Sequence, residues 1–314
     1  MDLKQIETFV RVAEHGSFSR AAAAMRIAQP ALSRQVRQLE IELCQRLFDR
    51  NGRGVTLTDA GRRLYSHGVG ILQQVERARR ELEDDRGVAV GRLSLGLPPS
   101  LSRALTVPLV HAFRERFPRA SLAVVEGLSA YMLEWLVQGR IDAAVVYQVA
   151  PMMAVDLEPL MEEPLWLVTP ARPGTRGTVA SGVTEGPAVG LSVLANVDLV
   201  IPSRPHSIRM AVEAALAAAR LKPTIALEIE SVPAMLALVS GSPDSGALAA
   251  VLSRQALRDL PPRLSLFAQP LLLEPGGPML TTRLWLATSS QRPGSPLQTQ
   301  ALQLVREQLA QTPR

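Results

Sequence analysis

A stretch of small and apolar residues between Ser17 and Leu43 constrains the fold more than any other part of the sequence. Its apolar positions recur three and four residues apart, which predicts two short helices joined by a tight turn at Arg26 and Ile27. Ser17 is a good N-cap for the first helix, because its hydroxyl can accept a hydrogen bond from a free backbone N–H group. The apolar stripe of this first helix consists of Phe18, Ala21, Ala22 and Met25.

The second helix is predicted to begin at Gln29 with Pro30, since proline in the first helical position removes no hydrogen bond. Its apolar stripe consists of Leu32, Val36, Leu39 and Leu43. At about 100° per residue, Arg34 and Arg37 lie on the opposite face and Ser33 lies on the flank. A small-residue helix packed against such a helix suits the major groove of DNA. An ordinary helical hairpin with a solvated basic face fits the same pattern, and the helices alone do not decide.

Residues 47–57 favour the DNA interpretation. They predict a small hairpin whose glycine-rich loop, 51–54, joins two short strands. A wing of this kind can hold backbone phosphates beside a helix in the groove. Between Arg20 and Arg63, nine arginines face four acidic residues, so the basic charge is concentrated around the motif. The candidate DNA-binding residues are Ser17, Arg20, Gln29, Pro30, Ser33, Arg34, Arg37, Arg50 and Arg53.

A long helix is predicted to follow the wing, with Thr58 as its cap and residue 83 as its approximate end. Its apolar or small residues alternate four and three apart, as in the seam of a coiled coil: Leu64, Gly68, Ile71, Val75, Ala78 and Leu82. We expect this seam to bind a second chain, because a long helix between two domains has little else to bury against. Gly68 and Ala78 would then let the two backbones approach closely. The alternative is a helix packed on its own domain.

Beyond residue 88, predicted strands alternate with predicted helices, which indicates a mostly parallel sheet with helices on both faces. Strands are predicted at 92–97, 121–126, 143–147, 165–169, 199–201, 224–230, 247–251 and 283–288. Helices are predicted at 102–117, 131–138, 208–219, 232–240 and 297–309. Residues 171–190 are rich in Gly, Pro, Ser and Thr and are predicted to be loop.

Ligands of open α/β sheets bind beyond the carboxyl ends of strands, near helix N-termini that favour anions. The residues at such places are Ser100, Leu101, Ser129, Tyr147, Ser203, Arg204 and His206. We expect them to bind a small anion, because arginine can hold a carboxylate in two parallel hydrogen bonds. Structural roles are the alternative. The serines can cap helices, Tyr147 can pack at a hinge, and Arg204 can form an ion pair within its own subdomain.

Two segments resemble a known family. AAAAMRIAQPALSRQVRQLEIELCQRLFDRNGRGVTLTDAGRRL, residues 21–64, resembles the winged helix–turn–helix of LysR-type transcriptional regulators. Residues 91–147, which begin GRLSLGLPPS, are similar to the effector-binding domain of that family. The resemblance implies an α/β chain with three parts: a winged helix–turn–helix at 1–58, a dimerisation helix at 59–87, and a two-subdomain, periplasmic-binding-protein-like effector domain at 88–314. Subdomain I would comprise 91–165 and 269–314, and subdomain II would comprise 166–268.

The resemblance also implies a function. The chain would be a bacterial, cytoplasmic regulator that binds double-stranded operator DNA as an interrupted palindrome. Its other expected partners are a small anionic effector in the cleft between the subdomains, RNA polymerase, and further copies of the chain in a homodimer or homotetramer. No cofactor and no membrane contact are expected. Two alternatives stay open: a regulator of this family that works without an effector, and a two-lobed small-molecule-binding protein.

Other sequence features argue against an enzyme. The common nucleotide-binding, serine-hydrolase and zinc-protease motifs do not occur, and none of the four histidines pairs with an acid at metal-ligand spacing. Cys44 is the single cysteine, which excludes an intrachain disulfide. The family commonly has glycine at this position, where the recognition helix ends in a left-handed turn. Cysteine there implies a strained backbone or a different helix end.

Overall fold

A computed structural model of the chain describes residues 1–51, 54–83, 91–171, 178–180, 183–241, 247–258, 260–261, 264–292 and 294–311. The chain divides into two compact units. Unit 1 comprises Met1–Val88 with Val137–Arg140, and unit 2 comprises Ala89–Leu136 with Ile141–Arg314. Among the described residues, no helix combines the length and the apolar character that crossing a membrane requires.

The described part of unit 1 contains the predicted helices and wing hairpin. Its elements are α1 (Leu3–His15), α2 (Phe18–Met25), α3 (Gln29–Glu42), β1 (Phe48–Asn51), β2 (Gly54–Leu57) and α4 (Asp59–Glu83). Aromatic rings fill the centre of this unit. The ring centroid of Phe48 lies 5.2 Å from that of Phe9 and 5.7 Å from that of Phe18, so α1, α2 and the wing share one core.

The ends of α2 and α3 follow the sequence closely. The hydroxyl oxygen of Ser17 caps α2 by accepting a hydrogen bond from the backbone N of Arg20 at 3.4 Å. Left-handed Arg26, with φ of 56°, ends that helix. Pro30 is the second residue of α3 rather than the first, and it still lies in the turn that needs no N–H partner. Cys44 has φ of 51°, so α3 is followed by the left-handed turn. This backbone conformation is strained for cysteine, because its Cβ crowds the backbone.

The long helix α4 has the predicted bounds, and the hydroxyl of Thr58 accepts a hydrogen bond from a backbone N–H of its first turn at 3.0 Å. The first half of the predicted dimer seam packs in part on its own unit. Leu64 and Ile71 are half-buried against the core of unit 1. Gly68 faces α1, where an added Cβ would lie 3.1 Å from a methyl group of Ile6. The apolar face of α1 offers α4 a partner within the same chain, and the spacing along α4 alone could not reveal it.

In the second half of that seam, Val75 is half-buried like Leu64 and Ile71, whereas Ala78 is exposed. The side chain of Leu82 lies outside the described residues. Ala78 is therefore open to a partner chain.

Unit 2 is built on one mixed sheet. Its strands are β3 (Gly91–Leu97), β4 (Ala120–Glu126), β5 (Ala143–Tyr147), β6 (Val155–Pro170), β7 (Thr178–Ala180), β8 (Val183–Glu185), β9 (Val189–Gly190), β10 (Asp198–Ile201), β11 (Thr224–Glu228), β12 (Leu248–Ser253), β13 (Leu266–Leu272) and β14 (Thr281–Ser289). Its helices are α5 (Pro99–Arg116), α6 (Ser129–Val137), α7 (Ser207–Ala218), α8 (Val232–Ser240) and α9 (Pro296–Gln311), with 3-10 helices at Leu191–Asn196 and Arg254–Leu257.

The main strand order is β11-β10-β12-β6-β14-β5-β3-β4. Pairs at both ends of this order are parallel, but β6 runs antiparallel to β12, β13 and β14, and β14 runs antiparallel to β5. The prediction of a mostly parallel sheet is therefore wrong. The antiparallel strands pair segments that are far apart in sequence, and a local pattern does not show which way a distant strand runs.

Strand β6 belongs to both subdomains. Its first part pairs with β14 from Val155 to Pro164, and its last part pairs with β12 and β13 from Leu165 to Pro170. β13 packs in the core of subdomain II, so the chain returns to subdomain I at β14 rather than at residue 269. The segment predicted to be loop, 171–190, contains the short strands β7, β8 and β9.

Candidate nucleic-acid interface and ligand cleft

Helix α3 presents a polar face to solvent. Its buried side chains are Leu32, Val36 and Leu39. Its exposed side chains include Gln29, Pro30, Arg34 and Arg37. The amide Nε2 of Gln29 donates a hydrogen bond to the hydroxyl of half-buried Ser33 at 3.0 Å. Arg34 and Arg37 lie one helical turn apart on this face, and guanidinium groups placed in this way can reach base edges or phosphates.

Helix α2 supplies two further candidates at its first turn. Arg20 is exposed and Ser17 is half-buried. The cap hydrogen bond uses the oxygen of Ser17, so its O–H remains able to donate to a phosphate.

The wing is fixed beside α3 by a residue that the sequence analysis missed. The carboxylate of Glu40, in the last turns of α3, accepts hydrogen bonds from the backbone N of Leu47 at 2.8 Å and of Phe48 at 3.4 Å. The hydroxyl of Thr58 donates to the carbonyl of Arg46 at 2.7 Å. Both ends of the hairpin are thus held by side chains from neighbouring elements. The side chain of Arg50 and the whole of Arg53 lie outside the described residues.

In unit 2, four adjacent strands each contribute one buried polar side chain to a row across the sheet. This polar row consists of Ser253 of β12, Glu163 of β6, Thr282 of β14 and Tyr147 of β5, none of them more than 2% exposed. Thr282 lies opposite Glu163. Ser253 lies opposite Leu165, two residues beyond Glu163, and Tyr147 lies opposite Leu284, two residues beyond Thr282. Because residues two apart in a strand share a face, the four side chains point to one side.

Hydrogen bonds join this row, which contains Tyr147, to two further predicted ligand residues, Ser100 and Ser129. The hydroxyl of Tyr147 donates to Oε1 of Glu163 at 2.8 Å, and the hydroxyl of Ser100 lies 3.3 Å from that of Tyr147. The hydroxyl of Ser129 accepts from the backbone N of Tyr147 at 2.9 Å. From subdomain II, the backbone N of Gln255 donates to Oε2 of Glu163 at 3.4 Å. The structure therefore brings Ser100, Ser129 and Tyr147 together, with Glu163 between the subdomains.

Burial governs the ionisation of this cluster. Desolvation raises the pKa of Glu163 from 4.5 to about 7, although its hydrogen bond from Tyr147 works in the opposite direction. Burial, followed by the nearby charge of Glu163, raises the pKa of Tyr147 well above its ordinary value. Tyr147 is therefore a neutral donor at physiological pH, and Glu163 is divided between its two protonation states.

The candidates from subdomain II take structural roles instead. The guanidinium of Arg204 is exposed and pairs with the carboxylate of Glu213 at 2.8 Å. This ion pair within subdomain II is the structural alternative given above for Arg204. Nδ1 of His206 accepts from the backbone N of Ile208 at 3.2 Å and so caps α7. Burial lowers the pKa of His206 to about 4, so the ring is neutral at pH 7. The backbone carbonyl of half-buried Ser203 accepts from the backbone N of His206 at 3.1 Å. These contacts all lie within subdomain II, and a role of Arg204 and His206 in effector binding stays a prediction.

Leu101 is corrected as well. Its side chain is 1% exposed and belongs to the hydrophobic core under α5. The sequence predicts that this helix begins at residue 102, with Leu101 in the loop before it. The observed helix begins at Pro99, so Leu101 lies in its first turn and faces inward.

Two family descriptions match the chain. "Bacterial regulatory helix-turn-helix protein, lysR family" matches residues 3–62, and "LysR substrate binding domain" matches residues 86–310. The chain belongs to the family of LysR-type transcriptional regulators. As a LysR-type regulator it binds DNA to control transcription and carries an effector-binding domain.

Relatives and solved structures agree with this membership. The nitrogen assimilation regulatory protein nac of Escherichia coli (strain K12) is 35% identical over 261 residues, 83% of this chain and 81% of that protein. CbnR complexed with its target DNA has 23% identity and a TM-score of 0.69, covering 98% of this chain and 100% of that one. A full-length OxyR variant from Pseudomonas aeruginosa has 20% identity and a TM-score of 0.69, covering 99% of this chain and 95% of that one. The two structures show a shared fold.

Several site residues of this LysR-type regulator escaped the sequence analysis. The strand around Glu163 was predicted to begin at residue 165, so an inward-facing carboxylate was not considered. Ser253 follows a run of apolar strand residues, and that position was a usable signal. Arg103 of α5 donates to the backbone carbonyls of Ala256 at 2.9 Å and Arg258 at 2.7 Å, and no pattern links segments so far apart. These bonds join α5 of subdomain I to the 3-10 helix of subdomain II.

Proposed function

We propose that this LysR-type regulator binds an interrupted palindrome as a dimer, with α3 of each chain in a major groove. The exposed face of α3 carries this proposal, because Arg34 and Arg37 project from it beside a wing anchored by Glu40. In this assignment Arg34, Arg37, Gln29 and Ser33 contact base edges. Ser17, Arg20, Pro30, Arg50 and Arg53 contact the backbone or position the helix.

Selection of binding sites from random duplex DNA tests this assignment. A two-fold dimer should recover two inverted half-sites whose centres are separated by whole turns of DNA, each about 10 bp. Hydroxyl-radical footprinting should place protection from the wing next to each half-site. Recovery of a single, unpaired half-site would contradict the dimeric arrangement.

We divide the chain in the same proposal into a DNA-binding domain at 1–58, a linker helix at 59–87 and an effector domain at 88–314. Val75, Ala78 and Leu82 are assigned to contacts between chains. Ser100, Ser129 and Tyr147 are assigned to a small-molecule cleft between the subdomains. A regulator of promoter DNA works where that DNA lies, so we place it in the bacterial cytoplasm, with RNA polymerase as a further partner.

A further inference from the structure

The polar row contains a buried carboxylate with no compensating cation. Among the described residues, the hydrogen-bond donors to Glu163 are the hydroxyl of Tyr147 and the backbone N of Gln255, and neither carries a positive charge. A carboxylate taken out of water in this way is costly unless a cation accompanies it.

Three further polar atoms in and beside this row lack hydrogen-bond partners in the described structure. They are the hydroxyls of Ser253 and Thr282 and the side-chain carbonyl Oε1 of Gln255. The residues are 0%, 1% and 1% exposed. Buried polar atoms are normally paired, and each unpaired one calls for an explanation. Oε1 of Gln255 can only accept a hydrogen bond, and a hydroxyl oxygen can also accept, so a single donor group could satisfy all three atoms.

Three arginines of subdomain II already have anionic partners. Arg204 and Arg209 both pair with Glu213. Arg254 pairs with Glu185 and lies over the ring of Trp166. An anionic effector would meet no free cation among these residues. Beside the ionised form of Glu163 it would bring a second negative charge, and repulsion between like charges in a buried site is strong.

We propose that the polar row binds a positively charged nitrogen, as free ammonium or as the ammonium group of a small organic amine. Glu163 supplies the counter-charge, and the carbonyl of Gln255 and the hydroxyls of Ser253 and Thr282 accept its N–H groups. This proposal rests on the effector cleft of the proposed function and replaces the anion expected from the sequence. The raised pKa of Glu163 agrees with a carboxyl group that still lacks its counter-ion.

Thermal unfolding of the full chain at about pH 8, where Glu163 is mostly ionised, tests the proposal. The probes are ammonium chloride, propylamine hydrochloride, 1-propanol and sodium propionate, with sodium chloride holding the ionic strength constant. Glu163→Gln removes the charge at nearly constant shape. Glu162→Gln is its matched control, because Glu162 is the neighbouring residue of β6 and its half-exposed side chain pairs with Arg283.

We expect a saturable rise in Tm with at least one amine probe and none with 1-propanol or propionate. The apparent affinity should fall roughly tenfold or more in Glu163→Gln and stay unchanged in Glu162→Gln. Saturation by ammonium chloride alone identifies the free ion, whereas saturation by propylamine alone identifies an organic amine. The proposal would be overturned if propionate bound saturably and the amines did not, or if neither propionate nor the amines bound. It would also be overturned if Glu163→Gln bound the amines as tightly as the parent protein.

A second variant covers the case in which Glu163→Gln does not fold. Ser253→Ala removes a hydroxyl that has no partner to lose, and we expect it to weaken amine binding several-fold; unchanged binding would overturn the role of the row. Gel shifts on the selected operator keep the two proposals apart. Specific DNA binding without amine binding overturns only the ligand class, whereas loss of specific DNA binding in the parent overturns the regulator assignment.

Discussion

At the residue scale, two buried groups of unit 2 respond to pH in opposite directions. The folded-state pKa of Glu163 is about 7, above its ordinary 4.5, so its contribution to stability decreases as pH rises between these values. The folded-state pKa of His206 is about 4, below its ordinary 6.5, so its contribution decreases as pH falls between these values. Both follow from desolvation, which favours the neutral form of either group.

His206→Asn should separate capping from titration. Asparagine is a good N-cap, so stability at pH 7.5 should stay close to that of the parent. Near pH 4.5 the variant should be more stable than the parent by on the order of 2 kcal/mol, because its unfolded state gains no proton at this position. Urea unfolding at the two pH values measures the difference. If His206→Asn changed the free energy of unfolding equally at pH 7.5 and pH 4.5, the lowered pKa of His206 would be contradicted.

Arg34→Ala should lose about 1–3 kcal/mol of binding free energy on the selected operator and relax base preference within the half-site. Arg53→Ala should weaken specific and scrambled DNA alike and lower the salt dependence, because a wing arginine contacts phosphate. Gel shifts on both DNAs over a range of salt concentrations provide the comparison. If Arg34→Ala distinguished the operator from scrambled DNA as well as the parent protein does, Arg34 would have no role in reading the bases directly.

At the scale of elements, unit 1 depends on contacts between neighbours in sequence. Its helices have periodic apolar faces and recognisable caps, and these local signals predict the ends of α2 and α4. In unit 2 the decisive contacts join distant segments. The four residues of the polar row come from positions 147, 163, 253 and 282, and only the strand order brings them together. The predicted start of α5, residue 102, lies three residues after the observed start at Pro99, a residue type that is favoured in the first helical turn.

The anchoring of the wing by α3 gives a prediction at this scale. Glu40→Ala leaves the backbone N–H groups of Leu47 and Phe48 without their acceptor and should destabilise the protein by about 1–3 kcal/mol. Affinity should fall on all DNA sequences, because the wing loses its position beside the helix. Glu42→Ala is the matched control, since it removes the same charge from the same helix. Equal DNA affinity in the two variants would show that the anchor has no role.

At the scale of the whole molecule, the second half of α4 is the part that we assign to contact with another copy of the chain. Leu64 and Ile71 are used within unit 1, whereas Ala78 on the same stripe is exposed. A seam confined to the second half of the helix is short. Dimer stability should therefore respond sharply to a single charge placed there.

Ala78→Glu should weaken the dimer by roughly tenfold or more, because the two-fold axis brings two like charges together at a buried seam. Sedimentation equilibrium of the full chain measures the dissociation constant. Gln74→Glu adds the same charge at an exposed position of α4 outside the stripe and should sediment like the parent. If the two variants dissociate equally, the contact between chains lies elsewhere.

The shared strand β6 also limits how the chain can change in length. Insertion or deletion of one residue within a strand turns every following side chain to the opposite face. In β6 such a change would displace Glu163 and reverse the residues that fill the cores of subdomain II. We therefore expect length variation among homologous chains to collect between strands, for example between β6 and β7. One place in β6 already accommodates an extra residue: Leu160 lies between Pro159 and Met161, which pair with consecutive residues of β14.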